Sequence, residues 1–291
     1  MRALGGGGSR PPALSLVPYA GDRHRAHSDG ELPLPPAGDT LRAEMTNGLR
    51  VDVKVIATAA LLALVLVFAL APRAGAGQTS ASQVHVVGSG TLTQLHVAVL
   101  AKPESGARRI AVLSQFRPDF RPQYVLALSV VRSKRTGAPR WFRISVPGRP
   151  NGRTGWVRAS AVELHPVKKR IVIYRGARKF EFWDGDRLLR TGKVAVGKPG
   201  AETPTGLFYV TWRFDPRIDP GWAVLGDYAF ETSAYSKLTD WPGGGIVGVH
   251  GTPWPYLLGQ AVSHGCVRLH NRDISFLRFR VPLGTPVKIV R

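Results

Sequence analysis

From residue 84 onward, hydrophobic positions fall into short runs of strand length, broken by clusters of Gly, Pro, Asn and Asp. In the first stretch the runs cover 96–100, 109–114, 124–131, 141–146 and 154–162. Short strands at that spacing predict a small all-β barrel over 84–165. The second stretch, 168–291, carries runs at 170–175, 179–183, 188–196, 207–214, 222–230, 246–250 and 285–290. Turn signals separate them, among them Asp184-Gly185-Asp186, Thr203-Pro204-Thr205-Gly206 and Asp240-Trp241-Pro242-Gly243. Only 255–259 and 271–279 read as helical. For the second of these, Asn271 is the expected N-cap and Asp273 falls in the first turn. The whole reads as a mainly β chain with one or two short helices.

Residues 55–71 break the rhythm. They are seventeen uncharged, mostly apolar residues, apolar all round rather than on one stripe. A membrane helix needs about 17–25 such residues. Two export readings stay open. With a start at Met45, the basic flank, the apolar run and the small-x-small triplet Ala74-Gly75-Ala76 make a removable signal. With a start at Met1, an anchor whose basic flank stays inside fits. Both put residues 77–291 on the outer side. Residues 1–54 lead into the span; 1–44, rich in Gly, Pro, Arg and Ala without an apolar period, are expected to be disordered. Residues 77–83 are a short linker.

Charge and cysteine count narrow the chemistry. The formal charge is +21, and residues 77–291 carry 32 Lys and Arg against 13 Asp and Glu. Such a surface attracts polyanions. An exported location sets nucleic acid aside and leaves an anionic membrane or cell-wall polymer. With one cysteine, Cys266, there is no intrachain disulfide and no zinc site of several thiolates.

The neighbours of Cys266 give it a function. Three of the eight histidines lie between positions 250 and 270, as His250-Gly251-Thr252 and then Ser263-His264-Gly265-Cys266-Val267-Arg268-Leu269-His270-Asn271. A thiol attacks as thiolate, so it needs a base or a positive neighbour. His250 ends a strand sixteen residues before Cys266, and the connection can fold it back over the thiol as general base and acid. With no Asp or Glu nearby, a backbone carbonyl such as that of Gly251 is the expected orienting acceptor. His264 and Arg268 share the face of Cys266 by strand alternation. His264 would orient the site or add positive charge. Arg268 would favour the thiolate or hold a substrate carboxylate. Gly265 permits a tight turn, and the N–H groups of Gly265 and Cys266 are candidate oxyanion donors. Ser263 is expected to fix the loop and border the substrate with Gly251; His270 receives no role. No histidine pair has helical i, i+4 spacing and no carboxylate accompanies them, so neither metal nor cofactor is expected.

These residues resemble a known family. Residues 168–291 are similar to the L,D-transpeptidase catalytic domain, also called the YkuD-type domain. The resemblance rests on Val196-Gly197-Lys198, Thr203-Pro204-Thr205-Gly206-Leu207-Phe208, His250-Gly251-Thr252 and the SHGCVRLHN block. In the first stretch, Gly155-Trp156-Val157-Arg158-Ala159 resembles the end of bacterial SH3-like domains. The first resemblance implies a β-sandwich-like catalytic domain in which Cys266 attacks a tetrapeptide stem of peptidoglycan. The terminal D-alanine leaves, and an amine from a neighbouring stem resolves the thioester, giving a 3→3 cross-link. It also implies His250 as base, His264, Gly265 and Cys266 around the oxyanion, and acylation of the cysteine by carbapenems. Relatives that use water act as L,D-carboxypeptidases, and others attach wall proteins.

Two other readings compete with this one. A sortase-like cysteine transpeptidase would have its His much farther before the Cys. A non-catalytic cell-wall-binding protein would have no need of an intact Cys266 and His250.

Overall fold

In a computed structural model the chain is described over residues 83–218, 220–240 and 243–291. The expected leader, membrane or signal segment and cleavage triplet lie outside these residues, as do nearly all of the linker and the centre of the 240–243 turn. Among the described residues no helix is long and apolar enough to cross a membrane. The described residues belong to one compact unit built on two separate hydrophobic cores.

The first core belongs to seven strands: β1 (Gly88–Leu92), β2 (His96–Leu100), β3 (Arg109–Ser114), β4 (Tyr124–Arg132), β5 (Pro139–Ser145), β6 (Thr154–Arg158) and β7 (Val162–His165). They form one antiparallel sheet in the order β3-β2-β6-β5-β4-β1-β7. Leu92, Val97, Val99, Val125, Phe142, Ile144 and Val157 are all buried in one cluster. A single sheet whose residues supply their own core must curl around it. The expected run 154–162 is broken by a 3-10 turn at Ala159–Ala161 before β7 begins. β1, Gly-Ser-Gly-Thr-Leu, lies outside every hydrophobic run of the chain. A Cβ at Gly90 would lie 1.7 Å from the Glu163 carbonyl oxygen, so that strand is selected for close backbone approach rather than for hydrophobicity.

The second core lies within nine strands and one helix: β8 (Lys169–Tyr174), β9 (Lys179–Asp184), β10 (Arg187–Gly197), β11 (Gly206–Phe214), β12 (Ala229–Tyr235), β13 (Ile246–His250), β14 (Ala261–Ser263), β15 (Val267–Leu269), α1 (Asn271–Arg278) and β16 (Pro286–Val290). The order is β14-β10-β15-β13-β12-β11-β16-β8-β9, and β9 also pairs with β10, so the sheet closes on itself. Two long strands make the corners. β10 pairs with β9 along its first part and with β15 and β14 along its last. β11 passes from β16 to β12, with a register shift between Val210 and Trp212 in its pairing with β12. Such irregularities bend a strand from one layer to the next. Phe180, Phe182, Phe230 and Ile274 fill the interior without solvent exposure; each such side chain contributes about 1.5–3 kcal/mol on burial.

Two sequence expectations change. The run 222–230 is not one strand: a 3-10 turn, Pro220–Leu225, precedes β12, with Gly226 between them at φ +67°. A Cβ at Gly226 would lie 2.5 Å from the Thr252 nitrogen, so the chain must turn there on a glycine. The N-cap of α1 is His270, whose Nδ1 accepts from the Arg272 N–H at 3.1 Å, so Asn271 is the first helical residue. Asp273 does lie in the first turn, where Arg190 donates to its carboxylate at 2.8 and 2.5 Å.

Candidate active site

The site forms where two short strands run side by side. β13 and β15 are parallel neighbours, with Val249 opposite Val267 and His250 opposite Arg268. One position back, the Gly248 N–H donates to Cys266 Sγ at 3.3 Å. Alternate residues of a strand share a face. Gly248 and His250 therefore stand beside Cys266 and Arg268, with the imidazole diagonal to the thiol. The connection between the strands contains a 3-10 turn, Pro255–Leu257, and β14, which pairs with β10. That detour allows β15 to return parallel to β13.

His250 is buried, 4% exposed, and its Nδ1 contacts the Gly251 carbonyl oxygen at 2.6 Å. A carbonyl only accepts, so Nδ1 carries the proton and Nε2 keeps a lone pair. Burial lowers the imidazole from 6.5 to about 4; the Gly251 and Leu225 carbonyls oppose the shift and the Arg268 charge adds to it. His250 is thus neutral at pH 7. Burial also pushes the Cys266 thiol up, while the Gly248 N–H and Arg268 pull it down. With the thiol raised and the imidazole lowered, the resting pair is neutral rather than an ion pair. A neutral imidazole with a free lone pair has the capacity to accept a proton from a thiol.

Cys266 is held by a tight loop. Gly265 has φ +120°, and a Cβ there would lie 2.7 Å from Ser236 Cβ. Ser263 is buried; its hydroxyl donates to the Cys266 carbonyl at 2.5 Å and accepts from the Gly265 N–H at 3.2 Å. The Gly265 N–H is thus already engaged by that hydroxyl. Gly251 is likewise engaged on both sides, its N–H donating to Tyr228 at 3.0 Å. Thr203 Oγ1, fully buried, accepts from the Gly197 N–H at 2.9 Å and donates to the Gly265 carbonyl at 2.8 Å. The Thr-Pro-Thr-Gly turn therefore braces the cysteine loop across 62 residues of sequence. Its only sign in the sequence was the recurrence of that turn in the resemblance.

Cys266, His250, His264, Arg268, Gly248 and Ser263 line one open cavity of about 670 Å³. Cys266 is half-buried there. Aromatic side chains of Trp212, Phe214 and Trp222 form another part of its wall. Arg121, from the first β module, also lines it, its guanidinium 4.8 Å from the Trp212 ring centroid. Arg268 lies 5.9 Å from the Trp254 ring centroid and holds a buried Nε with no hydrogen-bond partner among the described residues. Burial, then Lys198 and Arg268, hold His264 below the usual histidine range. Asn271 serves this region too: its Oδ1 accepts from the Thr252 N–H at 2.9 Å and the Asp227 N–H at 3.3 Å, fixing the chain just after His250. Among the described residues, no group of His, Cys, Asp and Glu could hold a metal ion.

Comparison with known proteins follows the same lines. Residues 168–289 match the YkuD family, described as the L,D-transpeptidase catalytic domain. The chain is 31% identical to YkuD of Bacillus subtilis over 179 residues, which is 62% of this chain and 93% of that protein. It is 37% identical to YkuD of Bacillus licheniformis over 123 residues, 42% of this chain and 66% of that protein. A solved L,D-transpeptidase from Mycobacterium smegmatis superposes with TM-score 0.37 at 16% identity, covering 58% of this chain and 90% of that one. With its catalytic-domain match and near-complete coverage of the Bacillus subtilis protein, the chain belongs to the YkuD-type L,D-transpeptidase family.

Proposed function

We propose that the protein is an exported peptidoglycan L,D-transpeptidase that forms 3→3 cross-links through a thioester on Cys266. The observation that carries this reading is the neutral His250 imidazole and the Gly248-bonded Cys266 thiol facing one open cavity. In the acylation step His250 Nε2 takes the thiol proton as Sγ bonds to the stem carbonyl carbon. The carbon–nitrogen bond to the terminal D-alanine breaks, and the imidazolium returns its proton to that leaving amine. In the second step an acceptor amine attacks the thioester and gives up a proton to His250. The carbon–sulfur bond breaks and the sulfur leaves as thiol. Water in place of the amine gives carboxypeptidase chemistry.

The other residues follow from their contacts. The Gly251 carbonyl fixes the tautomer of His250. The unpartnered Nε of Arg268 suits a carboxylate or carbonyl of the donor stem, since a buried N–H left unpaired costs about 1–3 kcal/mol. The Cys266 N–H is the oxyanion donor, joined by that of Gly265 when the Ser263 hydroxyl yields it. His264, held below the usual histidine range, lines the pocket as a neutral imidazole that orients the bound stem. In this reading residues 84–165 are an SH3-like module that meets wall material, residues 55–71 hold the chain at the membrane or direct its export, and the basic surface meets anionic envelope polymer.

The test is intact-mass detection of a carbapenem adduct, mapped by proteolysis, together with stem-peptide products. An adduct on the peptide containing Cys266, its absence in Cys266→Ala, and dimeric stems with loss of D-alanine are expected. Normal cross-linking by Cys266→Ala would remove the thiol from the mechanism. Tripeptide without dimer would assign the carboxypeptidase reaction.

A further inference from the structure

The turn at 147–152 belongs to the first β module, yet its side chains reach the connection that leads from β12 to β13. Arg149 donates from Nη1 to the Ser236 carbonyl at 2.5 Å, and from Nη2 to the carbonyls of Leu238 at 2.9 Å and Gly244 at 2.8 Å. Its guanidinium also lies 5.0 Å from the Tyr235 ring centroid. One planar group thus ties the outgoing and returning ends of that connection together. Beside it, Asn151 pairs with the Tyr235 backbone in both directions: Nδ2 donates to the carbonyl at 2.7 Å, and Oδ1 accepts from the N–H at 3.0 Å. The amide side chain takes the place of a neighbouring strand where the β12–β13 pairing shifts register between Glu231 and Tyr235.

The held segment touches the nucleophile's loop directly. Ser236 is buried, and its Cβ sits where a Gly265 side chain would be, 2.7 Å from the built position. The Ser236 N–H donates to the Gly245 carbonyl at 2.8 Å, closing the neck from which β13 starts. β13 in turn delivers the Gly248 N–H to Cys266 Sγ and His250 to the cavity. Both sides of the cysteine are therefore referenced to two side chains of another module. Hydrogen bonds from a charged guanidinium are stronger than neutral ones, and three of them converge here.

We propose that Arg149 and Asn151 are positioning residues for the acyl-transfer site, so that the first β module sets the alignment of Cys266 through Ser236 and Gly265. The proposal rests on the reading of Cys266 as nucleophile given above. Catalytic groups misplaced by about 1 Å lose on the order of a hundredfold in rate. The effect should fall on the first-order acylation step and spare the affinity of the initial complex, because neither side chain lines the cavity that holds Cys266.

The experiment follows carbapenem acylation of the full chain by intact mass over a range of drug concentration, separating the first-order rate from the concentration for half-saturation. Arg149→Ala and Asn151→Asp should each slow the first-order step at least tenfold, with half-saturation changed less than threefold. Arg149→Lys, which retains charge and reaches fewer carbonyls, should recover part of the rate. Arg143→Ala, at an exposed arginine of the same module whose guanidinium bonds Thr154, should match the parent. Near-ultraviolet circular dichroism establishes folding; if Arg149→Ala does not fold, Asn151→Asp and Arg149→Lys carry the comparison. A first-order rate within twofold of the parent in folded variants overturns the proposal. So does a loss confined to half-saturation, which would mark a binding contact. Failure of the parent itself to acquire an adduct on Cys266 would instead undo the reading of the site.

Discussion

Gly248 is the residue whose replacement separates folding from chemistry most cleanly. Its backbone is not in the left-handed region, so conformation does not demand glycine there. A Cβ built on it would meet the Phe230 carbonyl oxygen at 3.5 Å, His250 Cδ2 at 3.6 Å and Cys266 Sγ at 3.7 Å, all ordinary contact distances. Gly248→Ala should therefore fold, and a compatible Gly-to-Ala change stabilises by about 0.4–1 kcal/mol through the unfolded chain. The added methyl, however, would touch both the imidazole and the sulfur and fill space beside the thiol. A reacting carbonyl carbon must come within about 3–3.5 Å of the nucleophile, and displacement by about 1 Å costs roughly a hundredfold. We expect an unchanged or slightly raised melting temperature and a carbapenem acylation rate down by about two orders of magnitude. Rates come from intact-mass time courses and stability from thermal denaturation on the same preparation. Acylation within threefold of the parent would show that the space beside Gly248 is not where the acyl group is attacked. A collapse in melting temperature would show that the strand does not accept the methyl.

Three further outcomes follow from named contacts. Because His250 is lowered from 6.5 to about 4, acylation should stay flat from neutral pH to about 5 and fall with a midpoint near 4; an inflection at 6.5 would contradict the buried neutral imidazole. The same shift acts on stability. Between those values the unfolded chain binds a proton that the folded chain excludes, so stability is full above 6.5 and drops as pH falls toward 4, by on the order of 3 kcal/mol; urea titrations should show that drop in the parent and not in His250→Gln. Thr203→Val keeps shape but leaves the Gly197 N–H and the Gly265 carbonyl without their shared hydroxyl, so it should cost about 2–4 kcal/mol and slow acylation, read by denaturant titration and mass spectrometry. Arg190→Ala removes the two closer hydrogen bonds from the buried Asp273 carboxylate, leaving Arg272 at 3.8 Å, and should cost about 2–3 kcal/mol while leaving acylation below the melting range unchanged.

The sequence by itself determined the strand-rich character of the chain, because runs such as 96–100, 109–114 and 246–250 match β2, β3 and β13 residue for residue. It also grouped Cys266 with His250, His264 and Arg268, since a lone thiol amid histidines is legible as local chemistry. Where hydrophobic pattern was absent, as in Gly88–Leu92, or too short, as in Ala261–Ser263 and Val267–Leu269, the strands exist only because a partner's backbone satisfies theirs. Tertiary structure alone decided that β13 and β15 lie parallel, which sets Gly248 against the sulfur. It alone assigned the helix cap to His270 and made Asn271 a staple, because both side chains cap or brace according to what stands across from them. The Thr203 brace and the Arg149 clamp were out of reach for the same reason: hydrogen bonds spanning 62 and 87 residues leave no mark on the local order of side chains.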